Sequence, residues 1–464
     1  MSAQSSTSSL TALQKTPIAI IGMSALFAKA KNLQEYWQNI LGKVNGITEV
    51  PESAWNLEDY YDPDPKAPDK TYGKWGGFLP KIDFDPLEFG LPPDTLEALD
   101  SAHLLGLVMA KQALEDAGYN QGKEFNRETT GVILGGSGLW KSITPLTSRL
   151  QYPLWKKICQ KSGLSQEQTD KIIENMKAAY VPWQENSFPG MLPNVVAGRI
   201  TNRFDLGGTN CVVDAACASS LSALKMAISE LIEGRCDMML TGGFDTDNSI
   251  LNYMCFSKTP AFSKKDCLNP FDATSDGMMV GEGLGMLVIK RLEDAERDGD
   301  RIYAVIKGIG TASDGRFKSI YAPRPEGQVR ALRRAYQEAG FSPATLGLVE
   351  AHGTGTPAGD FCEFTALNEV FSENNAEKQT IALGSVKSQI GHTKAAAGAA
   401  SLIKTTLALH HKILPATINI TEPNPKFKIE DSPFYLNTET RPWLPKGKTP
   451  RRAGVSSFGF GGTD

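Results

Sequence analysis

The stretch that decides the fold class is residues 210–234, NCVVDAACASSLSALKMAISELIEG. It starts with an apolar run that is typical of a strand buried on both faces. After Cys217 the apolar residues recur at helical spacing, and Gly234 ends the pattern. The stretch therefore predicts a buried strand joined to a helix by a tight turn that carries Cys217.

Similar buried runs occur along the chain and alternate with helical patterns. They begin at Ile18, Gly131, Met238, Met286, Ala304, Leu346 and Ile381. Helical patterns lie between many of them, as in residues 104–118 and 327–340. This alternation predicts an α/β fold in which helices cover the sheets. Two segments depart from it: residues 45–97 are proline-rich and are expected to form loops, and residues 137–190 read as a polar helical insertion.

Composition restricts the classes of function. The 464 residues are 41% apolar and 22% charged, which is typical of a soluble globular protein. The net charge of -4 creates no basic field, so nucleic acid is not an expected partner. No apolar run reaches the roughly 18 residues that a membrane span requires. The seven cysteines include no C-x-x-C pair, which argues against a structural metal site or a disulfide framework and favours the reducing cytoplasm.

The two ends of the chain differ from its body. Residues 1–16 are rich in Ser and Thr and lack an apolar signal core, so we expect a flexible leader there, with ordered sequence from Pro17. The chain stops in the glycine-rich motif SSFGFGGTD, residues 456–464. Because a glycine-rich turn is an unusual place for a natural terminus, we expect a fragment of a longer polypeptide, with further domains after residue 464.

Cys217 is the first candidate for chemistry. At a helix N-terminus, the helix dipole and free backbone N–H groups stabilise a thiolate. The small residues around it leave room for a thioester to approach; they are Ala215, Ala216, Ala218 and Ser219. The alternative interpretation is a buried structural cysteine, which is the commoner fate of a cysteine.

Two of the five histidines stand in glycine-rich loops that are expected to follow buried strands directly. These are His352, in VEAHGTGTPAGD, and His392, in SVKSQIGHTKAAAG. One cysteine with one histidine would suit a papain-like hydrolase. Two neutral imidazoles instead suit one developing oxyanion, such as a thioester enolate. The other histidines, His103, His410 and His411, are interpreted as structural or solvent-facing.

Two further residues have a functional and an ordinary interpretation. Lys387 lies five residues before His392, where it can hold a carboxylate or tune the histidines, or it is an ordinary surface lysine. Phe460 stands between two glycines whose backbone N–H groups can face an anion. It is interpreted either as a mobile gate or as a core aromatic.

Taken together, these motifs resemble the β-ketoacyl synthase family of the thiolase superfamily. The resemblance rests on DAACASS around Cys217, EAHGTGT around His352, SVKSQIGHTKAAAG around His392 and SFGFGGT near the end. Four motifs in this order make it specific, and it extends over residues 17–464. The stretches DNSILNYMCFSKTPAFS, GRFKSIYAPRPEGQ and EDSPFYLNTETRPW look like ketosynthase domains of type I iterative polyketide and polyunsaturated fatty acid megasynthases. Ser401, where stand-alone fatty-acid enzymes usually have Glu, points the same way.

The resemblance implies a role for each candidate. Cys217 would accept an acyl chain from the phosphopantetheine arm of an acyl carrier protein, and backbone N–H groups of Cys217 and Phe460 would form the oxyanion hole. His352 and His392 would assist decarboxylation of malonyl-carrier protein and stabilise the enolate that attacks the thioester. Lys387 would support the His392 loop electrostatically. The pantetheine arm would be hydrogen-bonded by Thr354 and Thr356.

The resemblance also implies a five-layered αβαβα, thiolase-like fold of two similar halves, usually a homodimer. We place the N-terminal half at residues 17–285 and the C-terminal half at residues 286–464. No cofactor is implied beyond the phosphopantetheine that carries the substrates. Three departures from the family pattern stand out. Asp464 replaces the usual Asn and is expected to loosen the turn that carries Phe460, LDSAH (residues 99–103) replaces a DPQ-type motif, and residues 137–190 are longer than in the simplest members.

Three alternative functions remain at this stage. A non-catalytic chain-length partner shares the fold but replaces the nucleophile, whereas Cys217 and both histidines are present here. A degradative thiolase typically uses a second cysteine where this chain has a histidine. A hydrolase would release free acid and need no malonyl substrate.

Overall fold

The computed structural model describes residues 10–119, 122–373 and 377–464. The strands are β1 (Ile18–Phe27), β2 (Ile47–Glu49), β3 (Trp75–Gly77), β4 (Thr130–Gly135), β5 (Asn210–Val213), β6 (Met238–Asp245), β7 (Val280–Gly281), β8 (Gly283–Arg291), β9 (Ala304–Ile306), β10 (Leu348–Glu350), β11 (Ile381–Gly384), β12 (Ile413–Leu414), β13 (Phe434–Leu436), β14 (Arg441–Pro442) and β15 (Ala453–Val455). The helices are α1 (Ala12–Lys15), α2 (Leu33–Leu41), α3 (Leu57–Tyr60), α4 (Ser101–Asp116), α5 (Trp140–Arg149), α6 (Tyr152–Lys161), α7 (Gln166–Ala178), α8 (Ser187–Gly190), α9 (Asn194–Phe204), α10 (Ser219–Ile232), α11 (Ile250–Lys258), α12 (Leu292–Arg297), α13 (Pro325–Ala339), α14 (Pro357–Phe371), α15 (Lys387–Ile390) and α16 (Ala397–His411). Within these ranges no helix is long and apolar enough to cross a membrane.

Two larger sheets organise the chain. The first has the strand order β5-β4-β6-β8-β1-β9 and is mixed, because β8 runs antiparallel to β6 and β1. The second has the order β13-β11-β10-β15 and is parallel throughout. Each of the buried runs seen in the sequence contains one of these strands. The predicted strand-to-helix turn is β5 followed by α10.

The sheets are covered on both faces, as the near-continuous apolar runs require. Along β1, Ile18 and Ile20 face one core while Ala19 and Ile21 face another. The first of these cores lies between the sheets and includes α10 and α16, and the second lies under α4 and α9. A third core packs α14 on the second sheet. Helix, sheet, helix, sheet and helix form five layers, which confirms the predicted fold class.

The two halves share one backbone feature, a left-handed residue at the start of the 3₁₀ turn before the central helix. The 3₁₀ turn before α10 begins at Ala216 with φ +49°, and the 3₁₀ turn before α16 begins at Lys394 with φ +48°. Left-handed backbone costs a non-glycine residue about 1–2 kcal/mol, so such geometry persists only where its surroundings hold it. The same strained step therefore starts both central helices, and it lies beside the motifs of Cys217 and His392.

Three boundaries differ from the sequence expectations. Residues 1–9 of the predicted leader lie outside the described residues, whereas α1 is ordered because Leu13 is buried and the Thr11 hydroxyl donates to the carbonyl of Glu338. The division expected after residue 285 falls inside β8, which pairs along its length with β6 and β1, so the N-terminal half extends at least through Arg291. The proline-rich segment contributes β2 and β3 to a small sheet with β7. The segment near 137–190 contains α5 to α8.

Candidate active site

Cys217 lies in the 3₁₀ turn between β5 and α10 and is partly exposed. Ser457 ties this turn to the C-terminal half, because its hydroxyl donates to the carbonyl of Cys217 at 2.6 Å. Burial raises the pKa of the thiol, and the charge of Lys387 and a hydrogen bond from the backbone N–H of Phe460 act in the opposite direction. The expectation of a stabilised resting thiolate is therefore not met, because burial outweighs the favourable groups.

His352 follows β10 directly. Glu363 on α14 holds this loop by accepting the backbone N–H groups of His352 and Gly353, each at 2.7 Å. The ring Nδ1 accepts the backbone N–H of Phe458 at 3.4 Å. An Nδ1 that accepts carries no proton, so this hydrogen bond assigns the proton of a neutral ring to Nε2.

The position of His392 relative to the preceding strand differs from the sequence expectation. The one-turn helix α15 separates it from β11, so it does not follow the strand directly. Its backbone N–H donates to the carbonyl of Met279 at 2.7 Å, which ties the loop to the first half of the chain. Its Nδ1 accepts the backbone N–H of Lys394 at 3.2 Å. The proton of neutral His392 is therefore also on Nε2.

The two imidazoles face one another. Their ring centroids are 5.2 Å apart and their planes meet at 87°. Burial lowers the pKa of each ring well below its ordinary value, and the nearby charge of Lys387 lowers both further. Both rings are therefore neutral at pH 7, with an Nε2–H left to donate. Two neutral donors close together suit one developing oxyanion.

Lys387 is the charged group of this cluster. It begins α15 and is 1% exposed, which excludes the surface interpretation. Among the described residues its Nζ has no hydrogen-bond partner. Burial lowers its pKa, whereas the carboxylates of Glu363 and Glu350 act to raise it. Glu350 is itself paired with Lys404 at 2.6 Å, so it is not free to pair with Lys387 alone.

Thr354 and Thr356 continue the loop that starts at His352. Their hydroxyl oxygens are 2.9 Å apart, and Thr354 is almost buried. Asp360 steadies the loop by accepting the backbone N–H of Gly355 at 3.1 Å, and burial raises the pKa of this carboxyl to about 7. The two hydroxyls form a polar pair on the same loop as His352.

Phe460 lies at the tip of the terminal turn. It is 56% exposed, which excludes the core interpretation, and its ring stacks on Tyr321 at 5.9 Å. The backbone groups of Asp464, at the end of this turn, pair with those of Ala312 in both directions, at 2.9 and 3.1 Å. The side-chain oxygen Oδ2 of Asp464 is buried and finds no partner within the described ranges.

The structure thus brings the predicted chemical residues into one cluster. Sequence reasoning missed the residues that hold them. Glu363 lies one helical turn beyond Asp360, so its acidic side chain on the same helix face was a readable signal. Tyr321, Phe458 and Ser457 reach the site from distant segments, and no local pattern marks their contacts.

Comparison with known proteins agrees with this geometry. The model of the β-ketoacyl synthase N-terminal domain matches residues 15–295, and the model of the β-ketoacyl synthase C-terminal domain matches residues 303–421. One subunit of a polyunsaturated fatty acid synthase from Thraustochytrium is 48% identical over 97% of this chain. Polyketide synthase PksL from Bacillus subtilis is 38% identical over 96% of it. The chain spans 16% and 9% of the lengths of these two relatives.

Solved structures give the same result. The ketosynthase from module 6 of the bacillaene synthase of Bacillus subtilis superposes with a TM-score of 0.81 at 37% identity, covering 96% of this chain and 70% of that one. A ketosynthase domain of oxazolomycin synthesis from Streptomyces albus gives 0.82 at 32% identity, with 96% and 73% coverage. The chain belongs to the β-ketoacyl synthase family, as a condensing ketosynthase domain of the polyketide and polyunsaturated fatty acid synthase type.

Proposed function

We propose that this ketosynthase joins a Cys217-bound acyl chain to a malonyl unit carried by an acyl carrier protein. In the first step the Cys217 sulfur attacks the acyl thioester, a new thioester forms, and the carrier leaves as a free thiol. In the second step malonyl-carrier protein loses carbon dioxide, and the resulting enolate carbon attacks the Cys217 thioester. The sulfur leaves and regains a proton, and a 3-oxoacyl chain longer by two carbons remains on the carrier.

The observation that carries the proposal is the matched state of the two histidines. His352 and His392 are both neutral, and both have Nδ1 occupied by a backbone N–H. Two Nε2–H donors are the arrangement that an enolate oxygen requires. A hydrolase would need one of these rings as a general base for water, which the lowered pKa values disfavour.

The remaining candidates support the two steps. The backbone N–H of Phe460 lies near enough to the Cys217 thiol to act on its pKa, so it is able to donate to the oxyanion formed during acyl transfer. The positive charge of Lys387 stabilises negative charge that develops near Cys217. Thr354 and Thr356 offer paired hydroxyls to the amide groups of a pantetheine arm.

The assembly is part of the same proposal. Both curated relatives are much longer than this chain, so we infer that it works among other synthase domains and receives substrates on phosphopantetheine. We also infer a homodimer. Among the described residues the edge strand β5 pairs with β4 alone, and its residues are partly exposed, so it can pair with a second copy. The cysteine pattern favours the cytoplasm as the location of the enzyme.

Intact-mass measurement tests the nucleophile. Wild-type protein incubated with acyl-carrier thioesters should gain one acyl group, and malonyl-carrier protein should then convert it to a 3-oxoacyl product. Cys217→Ala should gain none. The matched control is Cys211→Ala, which changes another partly exposed cysteine six residues earlier and should still accept the acyl group. Acylation of Cys217→Ala would refute the nucleophile, and failure of wild type with every chain length would favour a non-catalytic partner.

A further inference from the structure

Lys394 stands two residues after His392 and is 7% exposed. Its backbone has φ +48°, although it is not a glycine, and in this conformation its N–H donates to Nδ1 of His392. Single residues with such angles are strained and persist only where neighbouring contacts hold them. The contacts that hold Lys394 therefore decide whether His392 keeps its hydrogen bond.

The side chain of Lys394 supplies those contacts. Its ammonium group lies 3.0 Å from the carboxylate of Asp245, 3.1 Å from the side-chain oxygen of Asn248 and 2.7 Å from the carbonyl of Gly281. The ammonium group thus makes two hydrogen bonds, to Asn248 and Gly281, and one ion pair, to Asp245. The three acceptors come from the end of β6, the segment before α11 and strand β7. All three belong to the first half of the chain, whereas His392 belongs to the second.

The acceptors are themselves fixed. Asp245 is 5% exposed and also accepts the backbone N–H of Asp247 at 3.2 Å. Asn248 is 1% exposed, and its side-chain amide donates to the carbonyl of Gly77 at 3.1 Å. A buried and fully paired ammonium group is rigid, because breaking any one bond leaves a buried polar group without a partner.

The turn before α10 in the first half has the same backbone feature. It shows what the three contacts of the Lys394 side chain, here called the brace, add to the turn before α16. Ala216 has the left-handed backbone conformation, and its N–H donates to the carboxylate of Asp214, two residues earlier, at 2.9 Å. At Lys394 the equivalent N–H donates to His392, also two residues earlier. A carboxylate accepts on either oxygen, whereas neutral imidazole accepts only on its unprotonated nitrogen. The second turn therefore selects a tautomer, and only this turn has a long side chain anchored in the opposite half.

We propose that Lys394 is a positioning residue for His392: its braced side chain holds its own backbone N–H against Nδ1, which keeps the ring proton on Nε2. The inference rests on the proposed function, in which His392 donates from Nε2 to the enolate. Lys394 itself contacts no substrate, because its ammonium group is buried against Asp245, Asn248 and Gly281. In this respect it differs from Lys387, whose ammonium group is free of protein partners among the described residues.

The test uses Lys394→Met, which keeps length and apolar stem but removes the ammonium group. Protein with 15N-labelled histidine distinguishes the two ring nitrogens by NMR, and the spectrum of His392→Ala identifies the signal. Wild type should show a single tautomer with the proton on Nε2. Lys394→Met should show both tautomers. Because a lost hydrogen bond is worth about 1 kcal/mol, malonyl decarboxylation should fall about five-fold, while acyl transfer to Cys217 stays within about two-fold.

Lys290→Met is the matched control, because Lys290 is also a buried lysine, paired with Asp300 at 2.9 Å, far along β8 from the histidines. It should lose stability without changing the tautomer of His392 or the ratio of the two rates. If Lys394→Met does not fold, Asp245→Asn keeps the volume and weakens the same brace, with a loss of about three-fold expected.

A single Nε2–H tautomer with an unchanged decarboxylation rate in the folded variant would overturn the inference. The NMR readout needs no substrate. Wild-type protein that fails to decarboxylate malonyl-carrier protein would therefore refute the proposed function, while the tautomer of His392 would still decide the role of Lys394.

Discussion

Replacement of either imidazole should separate the two steps of the reaction. In His352→Ala or His392→Ala, the enolate loses one of two Nε2–H donors and keeps the other. Loss of one preorganised oxyanion donor costs about 3–4 kcal/mol, which is about 10²–10³-fold in rate. We therefore expect malonyl decarboxylation to fall at least about 100-fold in each variant. Acyl transfer should fall less than about five-fold, because its oxyanion faces the N–H of Phe460 instead.

The double variant, in which both His352 and His392 are replaced by Ala, tests whether the two donors act independently. If the donors acted independently, their losses would multiply to about 10⁴-fold or more. Since both serve one oxygen, removal of the second should cost less than removal of the first. The pKa directions add a pH dependence: both rings are neutral above the ordinary histidine pKa of about 6.5, so the wild-type decarboxylation rate should not fall between pH 6.5 and 8 through their titration.

Both steps can be measured on the same samples. Release of carbon dioxide from malonyl-carrier protein gives the decarboxylation rate, and intact mass gives acyl transfer to Cys217. His410→Ala is the matched control, because His410 packs on Tyr303 at a ring distance of 4.8 Å, at the far end of α16 from the imidazoles. It should leave both rates within about two-fold. Equal losses of both steps in the His352 and His392 variants, or decarboxylation near wild type, would refute the assigned donors.

Two other predictions concern the pH dependence of stability and the interpretation of Phe460 as a mobile gate. Burial lowers the pKa of His103 to about 4, so the folded protein binds fewer protons than the unfolded chain below pH 6.5 and loses stability there. His103→Gln keeps a donor for the carbonyl of Gly190, and its free energy of unfolding relative to wild type should rise by up to about 3 kcal/mol as pH falls from 6.5 to 4. Urea unfolding across that pH range checks this, and a constant difference contradicts it. Tyr321→Ala removes the stack on Phe460, worth about 0.5–1.5 kcal/mol, and should slow acyl transfer about two- to ten-fold. Tyr321→Phe retains the stack and should match wild type; equal rates in all three proteins would show that the stack does not hold the gate.

The sequence determined the elements that local patterns encode. Long apolar runs, such as the one at Ile18, became strands buried on both faces, because only a strand inside a layered fold lets successive residues face two cores. The strand-to-helix turn at Cys217 was readable for the same reason. The strands β2 and β7 were not predicted, because two or three residues outside the longer apolar runs establish no periodicity.

The sequence motifs also identified the chemical residues, but not their states. The donor to Nδ1 of His352 lies 106 residues away, and the hydroxyl that ties down Cys217 lies 240 residues away. Such partners meet only when the two sheets pack, so neither the tautomer of His352 nor the burial of Lys387 follows from local pattern. The raised pKa of Cys217 likewise does not follow from local pattern, because burial in the folded chain is its main cause. A motif lists which groups are present, whereas desolvation and distant backbone N–H groups decide which of them are charged and where their protons lie.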